Sequence, residues 1–208
     1  MISSSLLAGL QYIGEQEVGD GGNSADNVAN PTAADQAQSY MLKDEKSNTY
    51  GGKIGLGYAG TIVSLAATKT TSRGRFLFPR EWGKEPLFTF QKRERSDGNG
   101  DASAWLIKVN QDFKTVGLNG LSMIAGYGRY HRVDAKNFVL NKYGVPSYAQ
   151  LNLDFFYKFS GALKGLKAEY LFARKYAIAN TYYTSTNTNF VFRKNDLNVH
   201  NFILNYSF

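Results

Sequence analysis

The segment from Ala149 to Phe159 alternates so strictly that it leaves room for little except a β-strand. Ala149, Leu151, Leu153, Phe155, Tyr157 and Phe159 fall on one face, and Gln150, Asn152, Asp154 and Lys158 on the other, with Phe156 the exception. Wound as a helix, the same residues would put Asp154 and Lys158 on the stripe that carries Leu151 and Phe155, which is no buried face at all. A period of two with one apolar side predicts a strand whose two faces meet different surroundings.

The pattern recurs along the chain. In Ala104 to Lys114, Trp105, Ile107, Val109 and Phe113 oppose Lys108, Asn110, Asp112 and Lys114, with Gln111 and Leu106 the exceptions. In Leu166 to Tyr176, Ala168, Tyr170, Phe172 and Tyr176 oppose Lys167, Glu169 and Lys175. Tyr50, Ile54, Leu56 and Tyr58 oppose Lys53 and two glycines, and weaker candidates cover Leu6 to Ile13, Thr61 to Thr70 and Leu121 to Arg132. With Asp196 to Phe208 this predicts about eight strands and an all-β chain, in keeping with 14% aromatic residues and 21 glycines.

The connections narrow the architecture further. Short turns follow the second, fourth and sixth strands, at Ala59-Gly60, Thr115 to Gly120 and Gly161 to Gly165. Long polar segments follow the first, third, fifth and seventh, at Glu17 to Asn48, Thr71 to Gly100, Val133 to Tyr148 and Ala177 to Asn195. Unbroken alternation of tight turns and long loops predicts an antiparallel transmembrane β-barrel, with the turns at the periplasmic rim and the loops outside. By parity the last strand runs to the periplasmic side. There Phe202, Leu204, Tyr206 and Phe208 alternate with Asn201, Asn205 and Ser207, an apolar face that resembles the signal read by the barrel assembly machinery.

Other readings are constrained by what is missing. Without cysteine there is no disulfide, thiolate nucleophile or Cys-based metal site. The charge-free stretch Ile54 to Thr68 is too short, and too interrupted by Gly55, Gly57 and Gly60, for a spanning helix, so contact with a bilayer implies strands. Met1 is followed by Ile-Ser-Ser-Ser rather than a basic and then apolar leader, so an exported chain would have received its signal from a segment upstream. The formal G-x-G-x-x-G at Gly55 to Gly60 precedes a Thr- and Val-rich stretch instead of a helix, which argues against a dinucleotide; no cofactor is expected. His131 and His200 lie near strand ends with no metal or catalytic spacing around them, and no enzyme activity is expected.

A net charge of +7 fits nucleic acid, an anionic membrane surface or anionic solutes. Phe88-Thr-Phe-Gln-Lys-Arg-Glu-Arg95 interleaves bases with aromatics, but an outer loop facing lipopolysaccharide accounts for it as well, and no nucleic-acid partner is expected. Arg174 has lipid-facing parity beside Tyr176 near the top of its strand, a position suited to a lipid phosphate.

Several segments resemble the OprD family of substrate-selective outer-membrane porins. They are Leu151-Asn-Leu-Asp-Phe-Phe-Tyr-Lys-Phe-Ser-Gly-Ala-Leu-Lys-Gly-Leu166, Asp112-Phe-Lys-Thr-Val-Gly-Leu-Asn-Gly-Leu121 and Asp196-Leu-Asn, and the resemblance spans most of the chain after Gly51. It implies a single barrel domain of roughly 18 strands, of which residues 1–208 would be the C-terminal half, with no second domain. It also implies a bacterial outer-membrane channel for passive diffusion of small hydrophilic solutes, anionic or zwitterionic, guided by a ladder of basic residues. Lumen parity assigns Lys53, Lys108, Lys158, Lys167 and Lys175 to such a ladder, with lysine where the family favours arginine. The rival is cross-strand neutralisation of these lysines by Asp154, Glu169 and Asp112. The apolar loop Arg75 to Leu87, through Phe78, Arg80, Glu81, Trp82 and Lys84, is the candidate constriction. The alternative architecture is a complete eight-stranded barrel with a structural or adhesive role and no pore.

Overall fold

The computed structural model describes residues 4–18, 41, 44–78, 86–92, 96–137, 139–179 and 196–207. Eight strands form one antiparallel sheet in strict sequence order: β1 (Ser4–Gln16), β2 (Lys46–Tyr58), β3 (Thr61–Thr70), β4 (Ser103–Asp112), β5 (Leu121–His131), β6 (Tyr148–Lys158), β7 (Leu166–Ala177) and β8 (Leu197–Tyr206). Each is paired with its sequence neighbour, and among the described residues no ladder joins β8 to β1. All the predicted strands are present, with β2 beginning earlier, at Lys46, than the alternation around Tyr50 suggested.

The register carries the period-two reading across the sheet. One continuous row runs through Leu65, Ile107, Tyr127, Leu151 and Arg174, and the next through Val63, Val109, Ala125, Leu153 and Phe172. These belong to the face whose apolar side chains stay exposed: Leu10 at 93%, Leu56 at 67% and Phe202 at 81%. A soluble fold would not leave so broad an apolar face open, whereas a membrane barrel presents it to lipid. The opposite face carries Gln150, Asn152 and Asp154, all buried. Leu151, Leu153 and Phe155 thus face outward as the alternation predicted.

Short turns close one rim. Ala59 and Gly60 both have positive φ, 49° and 84°, the type I′ geometry that matches the twist of a two-residue hairpin. The predicted strand through Lys114 instead ends at Asp112: its carboxylate accepts a hydrogen bond from the Lys114 amide and starts a 3-10 turn at Phe113–Val116, so Phe113 and Lys114 do not continue the alternation. At the other rim the long connections pack together. Arg75 is wholly buried and donates from its backbone and guanidinium to Glu45. The buried Asn141 bonds the carbonyls of Val133 and Val145, and the Lys142 amide donates to Gly98.

Candidate functional site

The connection between β3 and β4 does not stay at the rim. Its residues 86–92 descend along the face that holds Gln150 and Asp154, and they do so because each polar group there finds a partner on the wall. The Gln11 amide donates to the Pro86 carbonyl, and the Thr68 and Thr89 hydroxyls lie 2.8 Å apart. Tyr130 donates its hydroxyl to Thr89 and stands 2.9 Å from the Gln91 side-chain oxygen, while the Gln91 amide nitrogen donates to the Gly126 carbonyl. The lack of a side chain at Gly126 and Gly128 admits Gln91 to the sheet: a Cβ would come within 2.9 Å of its amide nitrogen at the first and 2.8 Å of its oxygen at the second. The Lys92 carbonyl accepts from both Gln150 and Asn152. Its ammonium sits 2.9 Å from Asp154 and 2.6 Å from Glu169.

Lys92 lies in a loop that the sequence pattern assigned to the outer surface, so Phe88 to Lys92 belong inside instead; Arg93 to Arg95 lie outside the described residues. Burial pulls the Lys92 ammonium down, but its hydrogen bonds and charge interactions with Glu169 and Asp154 outweigh this and hold its pKa above the ordinary lysine value. Phe78 is half-buried with its ring stacked on Phe76 at 6.4 Å. Arg80, Glu81, Trp82 and Lys84 lie outside the described residues. The part of the loop seen against the wall is therefore 86–92, next to the residues singled out for the constriction.

All the lysines of the predicted ladder have the parity of this inner face. Lys53 is paired with Gly9 and Ala66, Lys108 with Ser64 and Gly126, and Lys175 with Gln150 and Leu197, while Lys158 and Lys167 stand directly opposite each other. They do not form one vertical column. Lys175 and Lys53 lie in the same row five strands apart, Lys108 lies one row nearer the short turns, and Lys158 and Lys167 lie near the turns themselves. Several ammonium groups lie over rings: Lys53 is 5.0 Å from the Phe88 centroid, Lys167 4.8 Å from Phe156 and Lys175 3.8 Å from Tyr148.

The carboxylates of the rival reading have other partners. Asp154 and Glu169 both hold Lys92, and Asp112 caps the 3-10 turn. Among the described residues Lys53, Lys108, Lys158 and Lys167 make no ion pair. Between the loop and the wall lies a cavity of about 170 Å³, lined by Phe90, Gln91, Lys92, Leu106, Lys108, Ile124, Gly126, Asn152 and Asp154.

An antiparallel meander with an apolar outer face, a polar inner face and one loop folded against the inside is the architecture of part of a membrane pore barrel. Solved structures with this fold are porins. The chain is similar to OccK3 (OpdO) of Pseudomonas aeruginosa, with 23% identity and a TM-score of 0.59 over 79% of this chain and 40% of that one. OccK8 (OprE) of the same organism aligns at 16% identity and a TM-score of 0.62, covering 82% and 43% of the two chains. A BenF-like porin from Pseudomonas fluorescens Pf-5 gives 16% identity and 0.56, covering 82% and 38%. The chain thus spans about two fifths of the length of these structures. No protein-family model and no curated protein matches the sequence. The structural likeness gives the fold of an OprD-type porin wall, and the open edge-to-edge sheet does not favour the self-contained eight-stranded barrel, which would need a ladder between β1 and β8.

Proposed function

We propose that the chain builds part of the wall and the internal constriction of a bacterial outer-membrane porin, as the C-terminal half of one larger barrel. Small hydrophilic solutes, anionic or zwitterionic, pass through it by passive diffusion. The observation that carries this reading is Lys92: by drawing Asp154 and Glu169 to itself, it pins the loop against the inner face and leaves Lys53, Lys108, Lys158 and Lys167 without carboxylate partners among the described residues. Loop and lysines together narrow the lumen and make it positive. Charges at such a face raise the local anion concentration within about a Debye length, near 10 Å at 0.1 M salt. The cavity beside Lys108, with Leu106 and Ile124 on one side and Asp154 on another, suits a solute that carries a carboxylate and some apolar surface.

In this reading outer-membrane lipid and lipopolysaccharide surround the apolar face. The assembly machinery reads the closing residues Phe202, Leu204, Tyr206 and Phe208, of which Phe208 lies outside the described residues. The role of the ladder is tested by reversal potentials across planar bilayers in a salt gradient, with the whole barrel and its Lys108→Gln/Lys158→Gln/Lys167→Gln variant. Anion preference is expected to fall in the variant at low ionic strength. Equal potentials would mean that the lysines do not set selectivity.

A further inference from the structure

Two arginines on the outer face have no function in a pore. Arg129 on β5 has the parity of Trp105 and Tyr127, and Arg174 on β7 that of Leu151 and Tyr176. Both lie near the ends of their strands that lead into long connections, Arg129 two residues before the end of β5 and Arg174 three before the end of β7. A guanidinium on the lipid face costs about 2–4 kcal/mol at the bilayer midplane but only about 0–1 near the interface. Its place in the sheet is therefore tolerable at the level of the headgroups, and aromatic residues mark that level here. Trp105 and Tyr127 meet edge to face at 5.7 Å, and Tyr127 and Tyr176 bring their hydroxyls to 3.1 Å across β6.

The register sets the two arginines around this hydroxyl pair. Arg129 shares a row with Ala149 and Tyr176, and Arg174 shares the adjacent row with Leu151 and Tyr127. Two strands apart and one row displaced, their Cα atoms are separated by about 12 Å from sheet geometry, a span that two extended side chains can close from either end. Among the described residues neither guanidinium has a hydrogen-bond or ion-pair partner, and the Nε of Arg129 is buried without one. Lys69, on the same face, is instead tied to Asp101 at 2.6 Å. A buried donor that lacks a partner costs about 1–3 kcal/mol, and beside it the half-buried Arg129 and the exposed Arg174 present the rest of their side chains to the adjoining medium. Guanidinium forks fit a tetrahedral phosphate through paired N–H donors, and the tyrosine hydroxyls between them can donate as well.

We propose that Arg129 and Arg174, with the Tyr127 and Tyr176 hydroxyls between them, bind the phosphate of an outer-leaflet lipid headgroup. The inference rests on the membrane-barrel reading given above, since only then does this face meet lipid. The site is separate from the pore: its side chains and those of Lys108 and Asp154 project from opposite faces of the sheet.

The test uses the whole barrel purified in mild detergent and exposed to bisphosphorylated lipid A, with dephosphorylated lipid A as the comparison, bound lipid being read by native mass spectrometry. The wild type is expected to retain the phosphorylated lipid, and the Arg129→Gln/Arg174→Gln variant to bind it at least tenfold more weakly. Lys69→Gln should bind as the wild type does, and Arg129→Lys/Arg174→Lys should recover only part of the affinity. Heat-modifiable mobility and unchanged single-channel conductance in planar bilayers establish that each variant is folded. Equal retention by the double glutamine variant, equal binding of dephosphorylated lipid by the wild type, or an equal loss in Lys69→Gln would each overturn the site. A wild type that neither inserts nor conducts would overturn the membrane reading along with it, whereas normal conductance with arginine-independent lipid binding would overturn the lipid site alone.

Discussion

Replacing Lys92 with glutamine is expected to loosen the inner loop while leaving the wall intact. The substitution keeps the backbone carbonyl that accepts from Gln150 and Asn152, so it removes the charge and little else. The Lys92 side chain is 45% exposed, but Asp154 and Glu169 are only 7% and 13% exposed. Exposed ion pairs contribute about 0.2–1 kcal/mol, and breaking a fully buried one costs about 3–5. A half-exposed ammonium between two largely buried carboxylates lies between these limits, at about 2 kcal/mol. That shift raises the population of the detached loop roughly 30-fold. Single-channel recording should show it as more frequent substates and noisier open current, and a double-mutant cycle with Asp154→Asn should return a coupling well above the roughly 0.3–0.5 kcal/mol of independent sites. The contact should also respond to alkali. Because Lys92 has a higher pKa folded than its ordinary 10.5, its contribution is complete below that value and is lost as pH rises through the raised one. Quiet wild-type current around neutrality should therefore become noisy only above about pH 10.5. Open-channel noise in Lys92→Gln equal to wild type, together with a coupling near zero, would refute the latch.

Gly120→Ala should destabilise the barrel more than Gly117→Ala: both glycines have φ near 87°, but a Cβ at Gly120 would come within 2.4 Å of the Lys158 carbonyl oxygen while Gly117 faces open space. Thermal loss of heat-modifiable mobility should occur at a lower temperature for the first, by the equivalent of about 1–3 kcal/mol, and equal midpoints would contradict the packing of that turn. Phe202→Ser should lower the amount of membrane-inserted barrel, because an outward ring 81% exposed on β8 forfeits about 1.5–3 kcal/mol of transfer into lipid. Cell fractionation that shows wild-type levels would count against the outward face as the lipid surface.

What could be read from sequence was what a period of two can encode. The facing of Leu151 against Asn152, or of Lys108 against Ile107, follows from pleat parity alone, and the register reproduces it strand after strand. The end of β4 was missed because a local competitor intervened: Asp112 satisfies the Lys114 amide, and Gly117 at φ 87° terminates the turn, so Phe113 never enters the ladder. The inner position of Phe88 to Lys92 was missed for the opposite reason. Its causes are distant, with Lys92 meeting Glu169 across 77 positions and bonding Gln150 across 58. The alternation of threonine, glutamine and aromatic residues in Phe88-Thr-Phe-Gln91 was a faint signal of a strip with two unlike sides. Nothing local distinguishes it from a solvated loop.

The same distant contact decides how the inner charges are divided. Judged by strand neighbours alone, Glu169 lies opposite Phe156, and Asp154 opposite Ile124 and Leu171, so neither carboxylate has a lysine directly across from it. The nearest cations along β6 and β7, Lys158 and Lys167, face each other instead, a pairing of like charges that destabilises a sheet unless a polar, hydrated face relieves it. Lys167 has the Phe156 ring beneath it, and Lys158 is exposed. Glu169 is thus placed one row and Asp154 two rows away from the basic pair, where a single loop lysine reaches both. Anchoring the loop and leaving Lys53, Lys108, Lys158 and Lys167 without an ion pair among the described residues are consequently one arrangement: the bonds that hold Lys92 against the inner face are the bonds that occupy its two carboxylates.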